Sequence, residues 1–593
     1  MEIIHQWQVN KLCPELLDKK CLKKIKHAGF TSLQSYVTWA ALEPRPNEIC
    51  FSLYDPLVER ISEVGLKWVP FLVLGPYYAT PEWFRRSKES VYFRCLEHGK
   101  EVPIQSIWNP YLRKYVRRFL HVFSSHYDHE MFESVLLGVS GNWGEALYPA
   151  TGGFNPPPRM HSHVGWWCGD RFAIRSFRQW LKRKYRSIYR INEKWGTEYR
   201  TFEEIKYPSF LSNPIKWLFD KFRFSTMIFS SILRRTGWYK GFLSPITLKW
   251  RVPGNEQEKW RWLDFVGWYI QSMSDWAELW LKYARKYFPR NKLYLVVGGD
   301  GNPLLGADFG ILAKIAARYK AGIRITNQGD EYPINFCLTR LVASACKFYG
   351  GYFSTEEALF SSPKGIVSRI FETVSSGATG IYFKNIFVSD VGWAPCGRIG
   401  EALRENFEAF IRNRKTLRSV RPVRRVALFF PKSEIWLQIT SLWVFYERTA
   451  ELRNFFDFDF LDECLIEDGA LKNYGVLIVG LGRLQKNPAV EAWIKKGGVL
   501  IGTKSTIRSF SSFETGKGKV LIMPRWSTEL CKHFVKKSLR WDPVILSEKK
   551  DGVYLTKVED GVICYNSTST GKWKSIGGRK VWIDPYSIAK IRC

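Results

Sequence analysis

The feature that most constrains the fold is a repeated alternation of strand-like and helix-like segments over the first 400 residues of the 593-residue chain. Eight short segments rich in β-branched and aromatic residues are separated by stretches with helical spacing, among them KWVPFLVLG, KLYLVVGG and ATGIYFKNIF. They are apolar almost throughout, as are strands that are buried on both faces of a parallel sheet. Eight such βα units imply a closed barrel, so the sequence predicts an α/β fold with a (β/α)8 TIM barrel over residues 1–420.

The pattern changes after residue 420. Residues 421–515 hold a second, shorter alternation that includes RRVALFFP, YGVLIVG and VLIGT, which predicts a flavodoxin-like, doubly wound α/β domain. This segment has no glycine-rich phosphate-binding fingerprint, so nucleotide binding is not predicted. Residues 516–593 contain short strand-like runs and turns such as GVYLTKV and GVICYNS, which predict a small C-terminal antiparallel β domain.

Composition and charge argue against several classes of protein. The chain is 45% hydrophobic, enough for packed cores, and no apolar run reaches the roughly 18 residues of a membrane-spanning helix. The N-terminal sequence MEIIHQWQVN lacks the pattern of a secretory signal, so we expect a cytoplasmic protein with no membrane partner. The net charge of +33 is spread along the chain and lies in no nucleic-acid-binding motif. We interpret it as a solvated basic surface and expect no nucleic-acid partner.

The cysteines and histidines give no clear metal site. Twelve cysteines are scattered without a C-x-x-C pair, so zinc-finger spacings are absent. His161 and His163 lie two residues apart in a predicted loop, but no third ligand is evident from the sequence. The sequence therefore predicts no metal site and no cofactor.

Two of the predicted barrel strands end in glutamates. The fourth strand, ESVLLGVSG, is followed by Asn142, Trp143 and Glu145, and the seventh, GGYFST, is followed by Glu356 and Glu357. Active residues of such barrels lie at the C-terminal ends of the strands, so these carboxyl groups are expected at one barrel mouth. Glycoside hydrolysis uses such a pair, with one carboxyl protonated to assist the leaving group and the other ionised.

Aromatic and amide side chains near the strand ends suit a carbohydrate substrate. The chain holds 26 Trp, and many lie beside Gly, Pro or Asn in predicted loops, where indole rings can stack on the C–H faces of sugars. The side chains expected to bind substrate are Trp39, Trp143, Trp393, Asn142, Asn327 and Glu357.

Several motifs of the barrel segment form a set. A W..LEP turn at residues 39–44 follows the second strand, YATPEWF follows the third, and GATGIYF forms the eighth. This set is similar to that of family 42 glycoside hydrolases, the β-galactosidase type of clan A. The resemblance implies that Glu145 is the acid/base and Glu356 the nucleophile of a retaining β-glycosidase. It also implies that residues 421–515 resemble a trimerisation domain, so we expect a homo-oligomer, with a trimer suspected. Glu43 of the turn is expected to be structural.

The acid motif departs from this family. Gly144 rather than Asn precedes Glu145, and GNWGEALYP is similar to the acid motif of β-amylases, which invert. An inverting, amylase-like hydrolase and a non-catalytic carbohydrate-binding barrel therefore stay open as alternatives. Glu357 stays open as the nucleophile, because a shift of one residue in a strand turns a side chain to the other face.

Overall fold

A computed structural model of the chain describes residues 1–6, 18–150, 161–208, 254–326, 330, 332–357, 361–384, 386, 401–510, 513–539, 547, 550–576 and 578–592. Eight parallel strands close into a barrel in which each strand pairs with its neighbours in sequence and the last pairs with the first. The strands are β1 (Glu2–Gln6), β2 (Ser32–Thr38), β3 (Lys67–Val73), β4 (Val135–Gly138), β5 (Leu293–Val297), β6 (Gly322–Thr326), β7 (Phe353–Glu356) and β8 (Gly380–Phe383). The prediction of a TIM barrel is confirmed.

A helix follows each barrel strand and covers its outer face. These helices are Lys19–His27, Asp55–Glu63, Leu112–His126, Glu256–Tyr287, Phe309–Arg318, Tyr332–Tyr349, Pro363–Ser376 and Glu401–Asn413. The third of them buries an apolar stripe at helical spacing that includes Val116, Leu120 and Phe123. Within the described residues, no helix combines the length and the hydropathy that a membrane span requires.

Two additions interrupt this regular pattern. Among the described residues between β4 and the helix Glu256–Tyr287 are two further helices, Arg171–Tyr185 and Ile188–Trp195. The long segment after β3 forms an antiparallel ribbon from Tyr92–Arg94 and Glu101–Gln105, which was not predicted. The ribbon strands have only three and five residues, so the alternation of Val102 and Ile104 with their neighbours is too short to identify a strand.

The inside of the barrel changes from apolar to polar towards the C-terminal ends of its strands. An inner apolar cluster includes Ile4, Val69 and Tyr382, and it is separate from the main core between barrel and helices. Near the strand ends the inward side chains of neighbouring strands include Arg324 and Glu356, both buried. Polar side chains at this depth mark the end of the barrel that can carry chemistry.

Five parallel strands form a second sheet: β9 (Val426–Phe429), β10 (Asp459–Leu461), β11 (Val476–Val479), β12 (Val499–Thr503) and β13 (Lys519–Met523). Their spatial order is β10-β9-β11-β12-β13, which is the flavodoxin-like order, so the predicted doubly wound sheet is confirmed. Its helices are Lys432–Trp436, Leu442–Arg453, Glu463–Glu467, Pro488–Lys495 and Thr528–Ser538. The sheet continues past residue 515, because its edge strand β13 begins at Lys519. Only one of the five residues of β13 is buried.

The C-terminal strands are antiparallel, as predicted. A three-stranded sheet is formed by β14 (Val553–Val558), β15 (Gly561–Asn566) and β18 (Ser587–Ile591), and a separate ribbon by β16 (Lys572–Ile576) and β17 (Arg579–Ile583).

A buried charge cluster joins the barrel to the second sheet. Arg340 of the barrel helix Tyr332–Tyr349 pairs with Asp457, and Arg424 Nη1 lies 2.8 Å from Asp459 Oδ1. Burial alone would raise the pKa of Asp459, but Arg424 and its cationic neighbours lower it to about 2. Removing one partner of such a buried pair leaves an uncompensated charge, so the cluster fixes how the two sheets meet.

Candidate active site

Glu145 is brought to the barrel mouth by a tight turn that requires glycine. Ser140 and Gly144 pair across the turn, and Gly144 has a φ of +109°, which L side chains rarely adopt. A Cβ at Gly144 would also lie 2.9 Å from the Phe71 ring. Beyond the turn, Glu145 packs against Gly298, where a Cβ would lie 3.1 Å from Glu145 Cγ. Glycine is thus required at position 144, where the family usually has Asn, both for the backbone conformation and because there is no room for a side chain.

The surroundings of Glu145 favour its protonated form. Burial raises the pKa of Glu145, and its own backbone N–H and the charges of Arg324 and Lys384 oppose this only in part. Tyr78, whose electrostatic contact with Glu145 places it nearby, has a buried hydroxyl without a hydrogen-bond partner among the described residues. The Tyr78 ring centroid lies 5.9 Å from that of Trp143. A carboxyl kept neutral beside aromatic rings is suited to donate a proton.

Glu356 ends β7 in a different environment. Gln6 Nε2 donates a hydrogen bond to Glu356 Oε1, and Arg324 Nη1 forms an ion pair with Oε2. Lys384 Nζ lies 3.9 Å from Oε1. Opposite charges at this range favour the ionised form of a carboxyl group. The two glutamates therefore meet opposite conditions, one favouring the acid and the other the anion.

The strand register separates Glu356 from Glu357. Glu356 faces the barrel interior, whereas Thr355 Oγ1 lies 2.6 Å from Thr373 Oγ1 on the covering helix. Glu357 shares this outward face with Thr355: it is fully buried, and its Oε1 accepts a hydrogen bond of 3.0 Å from the Lys384 N–H. Glu357 is thus placed as a structural neighbour of the site, which does not support its expected contact with substrate.

The other predicted contact residues divide into three groups. Trp143 is partly exposed beside Tyr78 at the mouth. Asn142 lies in the same turn, but its side chain is engaged by Ala150 N–H and by Ser162 Oγ. Asn327 and Trp393 lie outside the described residues.

Trp39 does not present a surface to a sugar. It is 1% exposed, and its Nε1 donates a hydrogen bond of 2.9 Å to Glu43 Oε2. Glu43 also accepts from the Asn47 N–H and forms an ion pair with Arg118. The Trp39 ring thus lies in the core, which does not support its expected contact with substrate. The structural role expected for Glu43 agrees with these contacts.

Three residues of the site were not predicted. Gln6, Arg324 and Tyr78 lie on or after different strands and meet only in the closed barrel. One signal was present in the sequence: GIRIT places an arginine between two isoleucines in a strand that is otherwise apolar. A buried guanidinium needs an anionic partner, so this residue could have been paired with one of the strand-end glutamates.

A second cluster, outside the carboxylate pair, has the ligands of a metal site. Cys95 and His98 of the ribbon segment meet His161 and His163, with their four ligand atoms all within 4.8 Å of one another. Cys95 Sγ lies 3.3 Å from His161 Nε2, and His98 Nδ1 lies 3.2 Å from His163 Nε2. One thiolate and three imidazoles suit tetrahedral zinc. The sequence prediction missed this set because its two halves lie 63 residues apart, although C-x-x-H spacing was visible.

We expect the purified full chain to hold close to one zinc ion per molecule, measured by inductively coupled plasma mass spectrometry. The double variant Cys95→Ser/His161→Ala should lose the metal and melt at a lower temperature, because a structural zinc ion contributes directly to folding. Cys50→Ser, which changes a cysteine outside the cluster, is the matched control and should keep the metal. Equal and negligible metal in all three proteins would contradict the assignment.

Comparisons with known proteins agree with this architecture. A family model described as beta-galactosidase, of glycoside hydrolase family 42, matches residues 163–265. A thermophilic beta-amylase of Thermoanaerobacterium thermosulfurigenes is 24% identical over 212 residues, which are 32% of this chain and 37% of the relative. A beta-galactosidase of Thermus thermophilus is 25% identical over 217 residues, or 35% of this chain and 31% of the relative. The chain thus spans about a third of the length of these curated relatives.

Structural similarity extends further than sequence similarity. A beta-galactosidase from the haloarchaeon Halorubrum lacusprofundi matches with a TM-score of 0.72 and covers 100% of this chain and 99% of that chain, at 14% identity. At this identity the match establishes the shared fold, including the sheets that follow the barrel.

Proposed function

Because these matches confirm the resemblance to family 42 glycoside hydrolases, we propose that the chain is a retaining β-glycosidase that acts on β-linked glycosides or oligosaccharides. The observation that carries the proposal is the contrast between two glutamates of one barrel. Burial raises the pKa of Glu145 at the end of β4, whereas Arg324 and Lys384 face Glu356 at the end of β7. Glycoside hydrolysis needs one carboxyl in each of these states, and the retaining mechanism is proposed from the resemblance to family 42.

In the first step of the proposed reaction, Glu145 gives its proton to the glycosidic oxygen. A Glu356 oxygen attacks the anomeric carbon, the bond from that carbon to the glycosidic oxygen breaks, and the aglycone alcohol leaves. The product is a glycosyl ester of Glu356 with inverted configuration. Tyr78 and Trp143 supply aromatic surface near the proton donor.

In the second step, Glu145 is ionised and accepts a proton from water. The water oxygen attacks the anomeric carbon, and the ester bond breaks with its electron pair returning to Glu356. The second inversion restores the original configuration. Both glutamates then regain their starting protonation states, so no cofactor is consumed.

An inverting, amylase-like reaction is the second candidate, favoured by the GNWGEALYP motif and the β-amylase relatives. A panel of chromogenic α- and β-glycosides, with the first-formed product anomer followed by NMR, separates the two. We expect cleavage of a β-glycoside with the β-anomer formed first. A first-formed product whose anomeric configuration is opposite to that of the cleaved substrate supports inversion. No turnover on any substrate supports a binding protein.

We also propose that the second sheet mediates assembly. Five of the exposed large apolar side chains of the described residues lie on this part of the chain: Ile439, Trp443, Val444, Ile522 and Leu530. Three of them, Ile439, Trp443 and Val444, lie within six residues of the chain, and clustered exposed apolar side chains are typical of protein contact surfaces.

Sedimentation velocity of the full chain at micromolar concentration should show an oligomer, with a trimer as the expected species. Val444→Glu should shift the distribution to smaller species, because a charge would be buried at the contact. Tyr189→Glu, at a side chain that is 72% exposed on the additional helix Ile188–Trp195, is the matched control and should leave the distribution unchanged. A strictly monomeric wild-type protein would rule out the proposal.

A further inference from the structure

Arg324 is a buried cation beneath the carboxylate proposed as nucleophile. It is 1% exposed, and its guanidinium lies between the rings of Phe71 and Tyr382, at 5.6 and 5.7 Å from their centroids. Its Nη1 contacts Glu356 Oε2 and lies 3.3 Å from Thr326 Oγ1. In the described part of the chain its Nε has no hydrogen-bond partner.

Packing alone does not account for an arginine at this position. Arg324 lies inside the barrel, where the neighbouring inward side chains include Val69, Phe71 and Val296. A buried ion pair is seldom more stable than apolar side chains of the same volume, because both charges lose their hydration. The arginine is therefore explained better by what it does for Glu356 than by what it adds to stability.

The contacts of the two Glu356 oxygens differ. Gln6 binds Oε1 and Arg324 binds Oε2, so the carboxylate plane is fixed from two strands at once. Glu356 is an anion in the free enzyme and a neutral ester in the glycosyl-enzyme. Arg324 consequently loses the negative charge that its guanidinium contacts on Glu356 when the ester forms and regains it when the ester breaks. The charge of Glu145, which also acts on Arg324, changes in the opposite sense.

We propose that Arg324 is a positioning residue for Glu356 and that its charge accelerates breakdown of the glycosyl-enzyme. The inference rests on the proposed function. In deglycosylation, water attacks the anomeric carbon, its proton passes to Glu145, and the bond from that carbon to the Glu356 oxygen breaks. The electron pair returns to the carboxylate, where the guanidinium stabilises the developing negative charge.

The test compares full-length wild type with Arg324→Met on an activated 2,4-dinitrophenyl glycoside of the sugar that wild type cleaves. With so good a leaving group, kcat/KM reports ester formation, and kcat reports ester breakdown once that step is slow. We expect kcat to fall about 10- to 100-fold, the factor for one charged hydrogen bond. KM should fall with it, kcat/KM should change little, and stopped-flow traces should show a burst of dinitrophenol.

A merely structural role gives a different result. Val69→Ala, which opens the same inner cluster without touching a charge, should lower the melting temperature without lowering KM or producing a burst. If Arg324→Met lowers kcat and kcat/KM by the same factor and shows no burst, the inference is wrong. Should Arg324→Met not fold, Arg324→Lys and Arg324→Gln make the same comparison, with the smaller fall in KM expected for the variant that keeps the charge.

Adduct mapping separates this inference from the proposed function. Wild type treated with a 2-deoxy-2-fluoro glycoside should carry the sugar on the peptide that contains Glu356, as detected by mass spectrometry. No adduct on that peptide in wild type overturns both the retaining mechanism and the role of Arg324. An adduct in wild type, without accumulation of glycosyl-enzyme in Arg324→Met during turnover, overturns only the role of Arg324.

Discussion

Glu356→Gly is expected to lose on the order of 10⁴- to 10⁶-fold of kcat, the range found when a covalent nucleophile is removed. The loss should be partly reversed by sodium azide. A small anion can occupy the space left by the carboxylate and attack the anomeric carbon of an activated aryl glycoside. Because azide attacks from the side of Glu356 and no second displacement follows, a β-glycoside should give the α-glycosyl azide, identified by NMR.

Glu357→Gln is the matched control for this experiment, since the two glutamates are adjacent but face opposite sides of β7. We expect a lower melting temperature, because the buried Glu357 carboxylate bonds the Lys384 N–H, and no response to azide. Rescue of Glu357→Gly by azide, together with an active Glu356→Gly, would place the nucleophile one residue later. If neither substitution lowers activity, the nucleophile lies elsewhere.

The fold was predictable because each barrel strand carries its own signal. Strands such as Lys67–Val73 and Leu293–Val297 are buried on both faces, so nearly every residue is apolar and the run is visible without an alignment. The edge strand Lys519–Met523 is paired on one side only, and most of its side chains are partly or fully exposed. Its sequence KVLIM is apolar after the first residue, so its composition alone does not tell whether it belongs to the second sheet or to the C-terminal strands.

The site was predictable only where it follows directly from a strand end. The proposed catalytic residues Glu145 and Glu356 are reached by counting strands, because all C-terminal ends of a parallel barrel open to one side. Gln6 and Arg324 take part through side-chain direction inside the closed barrel, which depends on register and on the alternation of faces. The residues that set the charge state of a catalytic group are therefore harder to find than the group itself.

Trp39 shows the opposite difficulty, because the sequence indicated a residue of the site and the structure buries its ring. Its position beside a strand end and a proline-containing turn suggested a ring that stacks on sugars. The Trp39 ring centroid instead lies 4.9 Å from that of Phe84 and 5.0 Å from that of Tyr115. The sequence does not distinguish an indole that faces the mouth from one that fills the space beneath a loop. Both are followed by the same turn residues, and only the packing of helix Leu112–His126 against the turn decides between them.

Glu145→Gln is expected to lower kcat/KM about 10²- to 10⁴-fold on glycosides with poor leaving groups, the usual contribution of a general acid. The amide keeps the size of the side chain and its place against Gly298 but has no proton to give. On 2,4-dinitrophenyl glycosides the leaving group departs without protonation, so kcat/KM should fall far less. Equal losses on both substrate types would argue against Glu145 as the proton donor.

The pH dependence supplies an independent check on the same carboxyl group. Burial raises the pKa of Glu145 in the folded protein, so its acid form persists to higher pH than that of an ordinary glutamic acid. Ester formation requires this protonated form, and wild-type kcat/KM on a poor leaving group should fall as pH rises through that pKa. In Glu145→Gln the group no longer titrates, so the alkaline fall should disappear while any acidic fall from other groups remains. Persistence of an unchanged alkaline fall in Glu145→Gln would show that another group is the acid, and Glu145 would then be assigned a binding role at the mouth.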